Sequence, residues 1–114
     1  MSARDFVVET GKSGIWYYRK WNSGHCELWA STYVNCAVNA QQGNVYRSDP
    51  RYVSLPFTIY NSSAQVTILD HNTWCSSAWF GETVSSIPIV IWRGGTYSAY
   101  NWNLKLYVIG RWKQ

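Results

Sequence analysis

"GIWYYRKWNSGHCELWA", residues 14–30, decides the fold. Asn22-Ser23-Gly24 is a turn signal, and Gly24 suits a positive φ in a three-residue loop, so residues 15–21 and 25–34 read as the two arms of a β-hairpin. Strand alternation then puts Ile15, Tyr17, Arg19 and Trp21 on one face and Trp16, Tyr18 and Lys20 on the other. Both faces carry rings. A strand with aromatics on both faces is covered on both sides, which in so small a chain predicts a neighbouring copy.

The same period of two continues downstream. In "VSLPFTIY" (53–60), Val53, Leu55, Phe57 and Ile59 alternate with Ser54, Pro56, Thr58 and Tyr60, the pattern of a half-buried strand. Pro56 cannot donate to a ladder, which predicts an edge position or a bulge there. "QVTIL" (65–69), "CSSAWF" (75–80), "IPIVIW" (87–92) and "NLKLYVIGRW" (103–112) read as further strands, divided by turns at "NSSA", "DHNT", "GETVSS" and "RGGTYSAYN". No window shows a helical stripe. Residues 34–52 form the least regular stretch, with turns at Gly43-Asn44 and Asp49-Pro50. The prediction is an all-β protein, an antiparallel β-sandwich of jelly-roll-like or barrel-like form. Residues 1–14 are predicted to be an extended lead-in and 15–114 one domain.

Composition narrows the function. The 114 residues suffice for one domain, burying roughly 65% of the surface of the unfolded chain. With 46% hydrophobic and 14% charged residues the chain is not a disordered one, and its eight Trp and nine Tyr are the main oddity. A net charge of +4 spread along the chain gives no basic stripe for nucleic acid. Cys26, Cys36 and Cys75 cannot all pair internally and lack zinc spacing, so they are expected as buried thiols. The start has no apolar signal region, and the longest apolar run is far short of the roughly 20 residues of a membrane helix. The expectation is a soluble chain, made in a cytoplasm, that is not inserted in a membrane.

Catalysis finds little support. The six carboxylates include no close pair in sequence, and Asp70-His71 has no nucleophile turn to serve. No enzyme, metal or cofactor is predicted: Asp70, His71 and Asn72 could offer oxygen or nitrogen ligands but lack the clustered carboxylates of a calcium loop. Binding finds more. Sugars stack their apolar faces on exposed rings while polar side chains bond the hydroxyls. Two stretches combine those residue types: Asp70, His71, Asn72, Trp74 and Trp79 in the first, Arg93, Tyr97, Tyr100, Asn101 and Trp102 in the second. Trp79 and Trp102 adjoin strand runs, where core packing competes with ligand contact.

Three stretches also carry a resemblance. "SGIWYYRKWNSGHCELWA" (13–30), "SLPF" (54–57) and "VIGRWK" (108–113) together resemble the C-terminal domains of bacteriophage tail-fibre and minor tail structural proteins of phages and prophages of Gram-positive gut bacteria. The matching residues are Trp16, Tyr18, Arg19, Lys20, Trp21, Ser23, Gly24, Glu27 and Trp29, then Leu55, Pro56 and Phe57, then Ile109 to Trp112. His25 and Cys26 depart from the pattern. The resemblance implies a homotrimeric knob in the virion tail, synthesised in the bacterial host cytoplasm and joined to other tail-fibre or baseplate segments. Its expected task is attachment to a host cell-surface carbohydrate, and its alternative is an assembly module without receptor contact. Trp16, Tyr18, Arg19, Lys20, Trp21, Glu27, Trp29, Arg111 and Trp112 are then expected to serve structure and assembly. Glu27 is expected to pair with Lys20 across the hairpin or, preferably, with Arg111.

Overall fold

In the computed structural model, which describes residues 5–70, 72–77 and 83–113, the opening hairpin is formed by β2 (Trp16–Trp21) and β3 (His25–Val38). Gly24 has φ +102°, and its N–H donates to the Trp21 carbonyl at 3.0 Å, which closes the turn. Only glycine adopts that φ at little cost. The faces divide as the alternation requires: Trp16 is buried, whereas Tyr17 is exposed.

The remaining strands are β1 (Val7–Ser13), β4 (Ala40–Gln42), β5 (Val45–Arg47), β6 (Arg51–Ile68), β7 (Thr73–Ser77), β8 (Thr83–Arg93) and β9 (Tyr97–Arg111). All pairings are antiparallel, in the order β1-β2-β3-β9-β6-β8-β5-β4 with β7 also on β8. Of the residues expected as an extended lead-in, Val7–Ser13 form a strand of the sheet, paired with β2. The Gly43-Asn44 turn joins β4 to β5 within the irregular stretch.

Described residues of the two end strands, β1 and β4, do not pair with each other, so the sheet curls without closing into a barrel. The curl is visible in one bond. The Trp16 indole N–H of β2 donates to the Ser54 carbonyl of β6 at 2.7 Å, although two strands separate them in the sheet. Inside the fold lie Leu28, Ile59, Ile87, Ile89, Ile91, Leu104 and Val108. Each such side chain contributes about 1.5–3 kcal/mol by leaving water. The result is a sandwich-like all-β fold measuring 57 × 24 × 19 Å.

Two expectations about β6 and β9 need correction. "NSSA" is not a turn; β6 runs unbroken from Arg51 to Ile68. Its pairing with β9 slips between Tyr60↔Arg111 and Ser63↔Ile109, so two residues of β6, Asn61 and Ser62, face Gly110 of β9, and Asn61 there has φ +48°. This bulge changes the parity of the strand. Val53 and Ile59 face the core before it, Val66 and Ile68 after it. Pro56 lies in a second irregularity, between Ser54 and Ile59, where pairing with β8 is broken. "RGGTYSAYN" is likewise mostly strand, since β9 already begins at Tyr97.

The cysteines are free; Cys26 and Cys36 are buried and Cys75 is half-buried. Burial pushes the Cys26 thiol up to about 11, against the opposing pull of Lys20 and Arg111.

Candidate functional site

The two stretches singled out for sugar chemistry meet at one end of the molecule. The β6–β7 and β8–β9 connections come together around a recess of about 250 Å³ lined by Asp70, Asn72, Arg93, Tyr97, Tyr100 and Trp102. The approach of Asp70 is fixed by the backbone: its Oδ2 accepts from the Asn103 N–H at 2.8 Å, and the Leu69 N–H donates to the Asn103 carbonyl at 2.9 Å. Asn72 is exposed, with φ +57°.

A bulge aims Tyr97. Pairing of β9 with β3 runs Cys36↔Tyr100 and then Val38↔Tyr97, an extra residue on β9. Strict alternation would turn Tyr97 away from Tyr100 and Trp102; the extra residue returns it to their side. The three rings then pack at centroid distances of 5.6, 5.3 and 4.8 Å. Trp102 is buried, and its indole N–H donates to the Cys36 carbonyl at 2.9 Å, so it forms the floor. Tyr97 and Tyr100 are exposed and form the walls.

Arg93 supplies the charge. Its guanidinium carbon lies 4.5 Å from the Tyr97 ring centre and 5.9 Å from that of Trp102, in the range of cation–π attraction. Its Nε is buried and makes no hydrogen bond among the described residues. Ring faces, a guanidinium and one carboxylate at a small recess suit reversible binding of a polyhydroxylated ligand.

Other expected site residues stand elsewhere. Asn101 faces the opposite side of β9, where its Oδ1 accepts from Asn35 Nδ2 at 2.7 Å. Trp74 is exposed on β7, opposite Trp92 of β8. His71 and Trp79 lie outside the described residues. Among the described residues no group of three His, Cys, Asp or Glu is placed to hold a metal ion.

Three of the residues expected to serve structure, Trp21, Arg111 and Trp112, converge at the other end. The Trp112 N–H donates to the Gly24 carbonyl at 2.8 Å, its indole N–H to the Trp21 carbonyl at 2.9 Å, and Arg111 Nη2 to the Ser23 carbonyl at 2.9 Å. Glu27 pairs with neither expected partner. It stands opposite Arg19 in the register and binds that residue at 3.2 Å, while the Tyr107 hydroxyl donates to its other oxygen at 2.6 Å. That bond to a carboxylate raises the Tyr107 pKa. Lys20 pairs instead with Glu9 at 3.6 Å and lies over the rings of Phe57 and Trp112.

A larger cleft, of about 670 Å³, opens on the outer face of the sheet, lined among others by Lys12, Tyr17, Trp29, Gln65, Lys105 and Tyr107. Sequence reasoning missed it as a cleft. Trp29, expected to serve structure and assembly, stacks with Tyr17 at 6.2 Å on the open side of the hairpin.

No protein-family model and no curated protein matches the chain. Among solved structures, it is similar to an N-truncated R1-type pyocin tail fibre, at 11% identity and a TM-score of 0.47, over 95% of this chain and 86% of that one. A C-terminal portion of the P. aeruginosa R1 pyocin fibre is similar at 13% identity and the same TM-score, over 90% of this chain and 27% of that one.

Proposed function

We propose that this chain is the tip domain of a phage tail fibre, attaching the virion to a host cell-surface glycan without making or breaking covalent bonds. The observation that carries the reading is the recess of Asp70, Arg93, Tyr97 and Tyr100, which gathers ring faces and hydrogen-bonding groups in one place. Its position adds support. Phe6 is tied to Asn22 by reciprocal hydrogen bonds of 2.9 and 3.0 Å at the hairpin turn, beside Trp112. The recess lies at the far end of β9, whose fifteen residues span roughly 45–50 Å. A fibre joined at the Phe6 end presents the recess outward. Three copies form the tip in this reading, with other tail-fibre or baseplate segments as further partners.

An assembly module without receptor contact is the second reading. The convergence of Trp21, Gly24, Arg111 and Trp112 favours it, because the stretches that resemble tail proteins build the frame around the turn and not the recess.

Adsorption to host cells and binding to a glycan array separate the two. Under the attachment reading, Tyr100→Ala and Arg93→Ala each weaken both by about tenfold or more, equivalent to about 1.4 kcal/mol, and the control Tyr52→Ala changes neither. An array without any bound glycan, together with unchanged adsorption of Tyr100→Ala, establishes the assembly module.

A further inference from the structure

We infer that the cleft on the outer face is a second binding site, for a saccharide that carries acidic groups along its length. The register of five neighbouring strands places Lys12, Tyr17, Trp29, Tyr107 and Gln65 in a single row across the sheet. At the strand spacing of roughly 4.8 Å, that row spans roughly 19 Å. The adjacent row brings Ser31, Lys105 and Thr67 alongside it. Three rings in file, flanked by hydroxyl and amide groups, match a chain of pyranose rings, each of which offers an apolar face and a hydroxylated rim.

The charges specify the ligand further. Among the described residues, the ion pairs are Arg19 with Glu27 and Lys20 with Glu9. The acid nearest the ring row is therefore neutralised, while Lys12 and Lys105 have no carboxylate partner among the described residues. Lys12 Nζ stands 5.3 Å from the centre of the Tyr17 ring. Lys12 on β1 and Lys105 on β9 are three strands and one row apart, roughly 16 Å at the backbone. The rings of Tyr17 and Trp29 lie between them in the register, so acidic groups spaced along a saccharide seated on those rings reach both lysines. A second copy of this face is a poor occupant, because the unpaired lysines of both copies would meet.

Calorimetric titration of the whole chain with tetragalacturonic acid, and with the same tetramer after its carboxyl groups are reduced to alcohols, tests the inference. The acidic tetramer is expected to bind about tenfold more tightly than the neutral one, and the difference to shrink as salt rises. Lys12→Gln with Lys105→Gln is expected to abolish the difference at unchanged melting temperature, Lys→Arg at both positions to retain it, and Tyr100→Ala to leave it intact. Because Tyr100 belongs to the recess, the two sites succeed or fail separately. No binding of the acidic tetramer, equal binding of the two tetramers, or unchanged binding by the Lys→Gln pair overturns the inference. So does an oligomeric mass that falls in the Lys→Gln pair without loss of binding, which makes the cleft an interface between copies.

Discussion

Ser48 is a polar side chain sealed in the core, and it joins two distant parts of the chain. Its N–H donates to the Ile91 carbonyl at 2.9 Å, and its Oγ accepts from the Ile91 N–H at 3.0 Å, fastening the segment after β5 to β8. Ser48→Ala leaves the buried Ile91 N–H without an acceptor, so a loss of about 1–3 kcal/mol is expected, read as a lower midpoint in urea with unchanged slope. Nothing local in "YRSDP" marks Ser48, because its partner is 43 residues away. Trp16 and Tyr17 are the opposite case: their assignment to opposite faces needs only alternation and a turn. The partner of Glu27 falls between these extremes. Recognising the hairpin was enough to expect a cross-strand pair, but only the register shows that Arg19, not Lys20, stands opposite.

Bulges decide the geometry of the longer strands. The β6 bulge brings its backbone against β9, and Gly110 is the residue that permits the approach. A Cβ there would lie 2.5 Å from Ile59 Cγ2, 2.9 Å from the Tyr60 carbonyl oxygen and 3.1 Å from Ser62 Cα. Gly110→Ala must shift backbone as well as side chain, and about 1–3 kcal/mol of destabilisation is expected, measurable by thermal melting. Gly43→Ala meets no neighbouring atom but has φ +62°, so its cost is confined to the turn. The strands themselves were legible from period two. Their continuity was not, because a bulge interrupts the alternation in the same way as a turn, and Asn61-Ser62-Ser63 has the composition of both. The β9 bulge hid Tyr97 similarly, presenting a strand residue in the sequence context of a loop.

Across the whole molecule, the recess and the cleft differ in how much the sequence could reveal. Asp70 and Asn72, like Tyr97 and Tyr100, are close in sequence, and the recess needs only two connections to meet. The cleft joins Lys12, Tyr17, Trp29 and Tyr107 through three successive strand registers, and no local window contains it. The proposed three-fold tip predicts a mass in solution of three times the 13.2 kDa of one chain; light scattering at micromolar concentration showing only the single-chain mass overturns that assembly. The ties among Phe6, Asn22, Gly24 and Trp112 have a mechanical consequence. Under the proposed attachment, tension between the Phe6 end and a ligand in the recess runs along β9, so the β3–β9 ladder is loaded in shear. Its bonds then share the load instead of parting one after another, and the proposed site is supported by the strongest direction of the sheet.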